Sequence, residues 1–197
     1  MLYIFIKNTV FEASRLNQGS REYAHRHYEG VLSAISMGFF LILVGSMFVA
    51  TPNLAHDVGT FLNHFKVVAV ENTNISVPAP QYNANISVYQ ALQNVFLAAR
   101  EFSLVWGVFL IAMLGARFLL GSPLRRKAEN VGDIVFWLGA TYLVQTLLVI
   151  PTQTSPIISD SNLAATWFKF WAAVIMFIGV SLIARAVFLA AARARNI

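Results

Sequence analysis

The sequence predicts an all-α integral membrane protein of four transmembrane helices, with an external amphipathic helix and a short extended or hairpin segment between the first two. Three observations predict it. Val31–Thr51, Phe102–Leu120, Val131–Ile150 and Trp167–Leu189 are nearly free of charge, and each runs for about 19 residues or more, enough to cross hydrocarbon as helix. Hydrophobic residues make up 57% of the chain and charged ones 12%, with a mean hydropathy of +0.63; soluble domains carry roughly a quarter charged residues. Lys and Arg gather in alternate connecting segments, the pattern that orients membrane spans. Inside hydrocarbon every backbone N–H and C=O must be satisfied within its own segment, so helices joined by loops in water follow.

The N-terminal segment, residues 1–30, holds Lys7, Arg15, Arg21 and Arg26. Leu2–Ile6 is too short for the apolar region of a cleavable signal, and the first span is expected to direct insertion itself. Within that span Gly30, Ala34 and Gly38 lie four apart, followed by Gly45. Small residues at this spacing let helix backbones approach closely in a membrane.

The segment 52–99 is the longest outside the spans. Pro52 is a stop signal, and Leu54, Val58, Phe61, Leu62 and Phe65 recur at helical spacing over Asn53–Lys66, with His56, Asp57, Asn63 and His64 between them. That is the pattern of a helix lying on a membrane surface or on its neighbours. Val67–Val70 and the related tetrapeptides Asn74–Val77 and Asn85–Val88 read as extended segments, with Pro78-Ala79-Pro80 expected to interrupt a strand ladder. Asn74 and Asn85 head N-x-S sequons, the acceptors of N-glycosylation on an external loop.

From Val88 the apolar residues Val88, Leu92, Val95, Phe96 and Ala99 share one helical face and run unbroken into the second span. One helix of about 50 Å from Val88 to Leu120 is predicted, closed by Gly121-Ser122-Pro123. Residues 121–130 are expected to form a basic loop, with Arg125, Arg126 and Lys127 in succession. The third span, 131–150, carries Gly132 and Gly139; the loop 151–166 has no basic residue. The fourth span, 167–189, contains Gly179, begins with the interface-seeking rings Trp167, Phe168, Phe170 and Trp171, and leads to a tail, 190–197, bearing Arg193 and Arg195. The alternation of basic and nearly neutral segments places both termini and the Arg125 loop in the cytoplasm, and predicts a multi-pass protein of the plasma membrane.

Candidate chemistry is sparse. The chain has no cysteine, which excludes disulfides and thiol catalysis. His56, Asp57 and His64 are the external metal-ligand candidates, but His56 and His64 stand about 12 Å apart along a helix and cannot chelate one ion without a bend. His25 and His27 point apart on a helix. No phosphate loop, Ser/His/Asp set or paired carboxylate site occurs, and no cofactor is implied. Arg117, Asp133 and Arg185 are the ionisable residues nearest the spans; an Arg117–Asp133 ion pair locking adjacent helices is expected near the cytoplasmic end. Gln145, Thr141, Tyr142, Ser103 and Ser181 are the groups expected to hydrogen-bond between helices.

The net charge of +5 comes from residues dispersed at helix ends, which argues against nucleic acid as a partner. The expected partners are the bilayer and other integral membrane subunits or copies of the chain. The functional expectation is a non-catalytic accessory or assembly subunit of a larger membrane complex, packing through Gly30, Ala34, Gly38, Gly45, Gly132, Gly139 and Gly179. A homo-oligomeric channel or small transporter is the alternative, and a membrane enzyme subunit with an external metal site the third.

Overall fold

The computed structural model of the protein describes residues 28–69, 75–80, 86–154 and 160–194. Four helices are long and apolar enough to cross a membrane: Tyr28–Ala50, Ser87–Leu119, Leu124–Thr152 and Ala164–Ala194. The elements in order are α1 (Tyr28–Ala50), α2 (Leu54–Asn63), β1 (Phe65–Ala69), β2 (Ser76–Pro80), α3 (Ile86–Leu119), α4 (Leu124–Leu143), a π-helical segment (Val144–Val149), α5 (Ile150–Thr154) and α6 (Asp160–Ala194). The last span of α4, the π segment and the start of α5 form one continuous rod.

α3 has 34 residues and α6 35, each about 50 Å at 1.5 Å per residue and well beyond a 30 Å hydrocarbon core. The hairpin packs against α6 at one end of the bundle. There the best-packed core forms, from Ala79, Val88, Leu92, Phe96, Val144, Leu148, Val149, Ala164 and Trp167. Rings join it: Phe61 meets Phe65, Phe96 and Trp167, and Phe65 meets Trp167, with edge-on geometry and centroids 4.9–6.1 Å apart, the arrangement that ring quadrupoles favour. The Tyr89 hydroxyl donates to the Thr152 carbonyl, tying the start of α3 to α5.

Several boundaries differ from the sequence reading. β1 and β2 pair antiparallel from Phe65↔Pro80 to Ala69↔Ser76, so the ladder runs through Pro78-Ala79-Pro80 instead of stopping there. Pro78 and Pro80 are two apart, so the N–H groups they lack lie along one edge of a two-stranded ribbon, where no partner strand needs them. Asn85–Val88, expected as extended, instead contributes Ile86–Val88 to the start of α3. Arg125, Arg126 and Lys127 lie in the opening turns of α4, not in a loop. α6 begins at Asp160, before Trp167.

The turn between α3 and α4 follows the sequence signal. Gly121 takes φ 67°, the Ser122 N–H bonds the Arg117 carbonyl and the Gly121 N–H that of Phe118. This 6→1 and 5→2 pair is the Schellman closure, and the left-handed residue it needs is glycine.

Helix pairs are set by close approaches. A Cβ on Gly139 would overlap the Phe177 ring, one on Gly132 meets the Ser181 carbonyl oxygen at 3.1 Å, and one on Gly107 meets Leu138 Cδ2 at 2.8 Å. Gly132 and Gly139 therefore seat α4 on α6, and Gly107 seats α3 on α4. Gly30, Gly38, Gly45 and Gly179 have nothing within 4 Å of such a Cβ, and Ala34 is exposed. α1 leans on α3 through rings, with Phe39 stacked on Phe109 at 4.0 Å and Phe40 edge-on to Phe102 and Trp106.

Candidate functional site

Polar side chains within the described residues fall at three levels along the bundle. At the hairpin end, α2 lies across α3. Its apolar residues pack as the periodicity requires, with Leu54 buried and Phe61 in the ring cluster. Asp57, grouped in sequence with the polar residues His56 and His64, is instead buried at 8% exposure, and its Oδ2 accepts a hydrogen bond from Asn94 Nδ2 at 2.8 Å. It lies one turn from both Leu54 and Phe61, so it shares their face.

A polar cleft of about 250 Å³ opens beside this pair, lined by Asn53, His56, Asp57, Thr60, Gln90 and Asn94 among others. Asn53 enters it with φ 66°, a left-handed conformation that asparagine tolerates. His64 does not contribute: its Nδ1 lies 2.7 Å from the Thr60 carbonyl oxygen of its own helix. Among the described residues no three His, Cys, Asp or Glu side chains converge as a metal site. His25 and His27, and the sequon residues Asn74 and Asn85, lie outside the described residues.

At the middle level Arg100 on α3 donates from Nη1 to Gln145 Oε1 at 2.9 Å, while Nη2 lies 3.4 Å from Glu101 Oε1. Gln145 belongs to the π segment, where the Ile150 N–H bonds the Gln145 carbonyl. Of the groups expected to bond between helices, Gln145 does so. Ser103, Thr141 and Ser181 bond carbonyls of their own helices, the local alternative open to short hydroxyl side chains, and Tyr142 is exposed.

The lowest level is the arginine end. Glu129 is its centre, accepting from Arg125 at 3.1 Å, Arg126 at 3.3 Å and, across the helix pair, Arg185 of α6 at 3.0 Å. A basic first turn opposes the helix dipole, and Glu129 offsets it from the i+4 and i+3 positions. Asn130 is buried and donates to the Leu110 carbonyl of α3 at 3.1 Å; the Lys127 ammonium sits 4.6 Å over the Phe118 ring.

The expected Arg117–Asp133 lock is not made. Arg117 donates to the Arg126 carbonyl at 2.8 Å, and no ion pair among the described residues joins it to Asp133. The helical start at Leu124 explains the change: it sets Asp133 deeper than Arg117, and brings Glu129 level with Arg185 instead. Sequence reading passed over Glu129 because it lay in an assumed loop; its i+3 and i+4 spacing from Arg126 and Arg125 was the signal that could have found it.

An apolar groove of about 400 Å³ opens between α1, α2, α3 and α4, lined chiefly by Val44, Phe48, Leu54, Phe102, Trp137 and Ala140. Asp133 shares a face of α4 with Trp137 and Ala140, and it is exposed. The arrangement can hold helices together and offer apolar surface; the strongest polar groups, Glu129, Arg185, Asn130, Arg100 and Gln145, are bonded to one another or to backbone. Compared with known proteins, the chain matches no family model, no curated protein and no solved structure.

Proposed function

We propose that the protein is a non-catalytic accessory or assembly subunit of a larger membrane complex, a multi-pass protein of the plasma membrane with both termini in the cytoplasm. One observation carries the reading. The glycines of α4 are filled by α6 and the Gly107 site by Leu138, whereas Gly30, Gly38 and Gly45 of α1 present the same kind of close-packing row with none of the described residues in it. Membrane helices associate through such rows by dispersion, without a hydrophobic drive between them. The exposed apolar residues beside that row, Val31, Met37, Leu41, Ile42 and Val49, suit contact with lipid or with a partner helix.

Purification at native expression in mild detergent tests the reading. A stoichiometric set of other membrane subunits supports it; a homo-oligomer with a hydrated axis rejects it in favour of a channel. Topology is checked in the cysteine-free chain by introducing Ser20→Cys and Asn83→Cys singly: an impermeant thiol reagent added outside intact cells labels position 83 only. Labelling at position 20 alone inverts the assignment. In a host that glycosylates external sequons, intact mass reports glycans on Asn74 and Asn85, and an unshifted mass rejects them.

A further inference from the structure

We infer that the partner contributes a membrane helix bearing a single Arg or Lys, which docks on the Asp133 face of α4. This inference rests on the assembly reading above and names the chemistry of the partner.

Depth is the first step. α3 and α4 are antiparallel and their register is fixed by Arg100 with Gln145 at one end, Asn130 with the Leu110 carbonyl lower down, and Arg117 with the Arg126 carbonyl at the other. Asp133 therefore lies beside the Leu110 level, and Gly132 packing on Ser181 puts the same level at Ser181 of α6. From Arg126 to Asp133 the helix rises about 10 Å, and from Asp133 to Gln145 about 18 Å. Between those two polar layers is a slab close to the 30 Å of a hydrocarbon core, so Asp133 stands about a third of the way in, not at its edge.

Exposure is the second step. A carboxylate at that depth is costly, and such groups almost always face a bundle interior and pair. Asp133 is exposed and has no hydrogen bond or ion pair among the described residues, while of the cations around it Arg185 is held by Glu129 at 3.0 Å and Arg117 donates to the Arg126 carbonyl. Charge complementarity then asks for a cation from outside the chain.

A second copy does not supply it. Residues 30–55, 102–116, 134–168 and 170–184 contain no Lys or Arg, and at the level of Asp133 a parallel copy offers Ser181 and an Arg185 already bonded to its own Glu129. The cation belongs to a different protein. Its helix, laid against α4, meets Asp133 with its charge and the Trp137 and Ala140 surface with its apolar residues.

The test uses the full chain reconstituted in phosphatidylcholine vesicles with a donor fluorophore, and acceptor-labelled Leu/Ala peptides long enough to span. One peptide carries a single Arg about 10 Å from one end; in the control that Arg is Leu. The Arg peptide is expected to associate about five-fold more tightly with the wild type than with Asp133→Asn, in the range of one interhelical polar contact, and the Leu peptide equally with both. Because Asp133 bonds nothing among the described residues, Asp133→Asn keeps the wild-type melting temperature, and Asp133→Glu keeps the Arg preference. Equal binding of the Arg peptide to wild type and Asp133→Asn overturns the inference. So does recovery, at native expression, of an unchanged complex with Asp133→Asn, an outcome that leaves the assembly reading standing. Absence of any stoichiometric partner with the wild-type chain removes the assembly reading, and the inference with it.

Discussion

Replacing Gly139 by alanine tests the helix register on which the placement of every polar layer depends. The added Cβ overlaps Phe177 Cδ1 and Cε1 and falls 3.0 Å from Cγ, so the whole ring must move, not only its tip. Alanine gains roughly 0.5–1 kcal/mol over glycine in a helix interior, and overpacking costs typically 1–3 kcal/mol. The net expectation for Gly139→Ala is a loss of about 1–2 kcal/mol. Gly179→Ala, with nothing within 4 Å, keeps only the propensity gain and is expected to be neutral or stabilising by up to about 0.5–1 kcal/mol. Reversible unfolding in mixed detergent micelles, followed by circular dichroism, measures both. The double variant Gly139→Ala with Phe177→Leu relieves the clash, so its loss falls below the sum of the two singles; contacting residues are non-additive in this way. Wild-type stability for Gly139→Ala together with additive behaviour in the double variant would refute the α4–α6 contact.

Glu129→Gln leaves Arg185 without its carboxylate and removes two local ion pairs; since the groups are only partly buried, a loss of about 1–2 kcal/mol is expected, and Glu129→Gln with Arg185→Gln recovers much of it in the same unfolding assay. Asn94→Ala deprives the buried Asp57 carboxylate of its donor and is expected to cost about 1–3 kcal/mol; Asn94→Ala with Asp57→Leu costs less than that, and a double variant as unstable as the single contradicts the pairing. Because His56 and His64 do not converge, added zinc leaves the melting temperature of the wild type unchanged; a concentration-dependent rise, the signature of a ligand bound to the folded state, contradicts that geometry.

The helices were legible in the sequence because length and hydropathy act locally. Long α3 followed from the apolar face of Val88, Leu92 and Phe96, and its end from Gly121, whose left-handed φ a Schellman closure needs. What eluded the sequence depended on partners distant along the chain. Asp57 looked solvated until Asn94, on another helix, was placed against it. Pro78 and Pro80 read as ladder breakers because nothing local says that a strand has a free edge. The π segment at Val144–Val149 left no sequence mark of its own, yet it carries Gln145 to Arg100.

The ion layer around Glu129 shows how one boundary propagates. With Arg125, Arg126 and Lys127 assigned to a loop, the third helix begins at Val131, Asp133 lies at the membrane edge, and Arg117 is its natural mate. Starting the helix at Leu124 adds two turns, about 10 Å. The same seven residues then supply Glu129 as the group that satisfies both the basic first turn and Arg185, and Arg117 turns to a carbonyl. Asp133 is left alone at a depth where a lone charge is costly. Its expense to the isolated chain argues for a partner's cation in the assembled one: the carboxylate is exposed, on the face shared with Trp137 and Ala140, and no ion pair among the described residues reaches it, Arg185 being bonded to Glu129 and Arg117 to the Arg126 carbonyl.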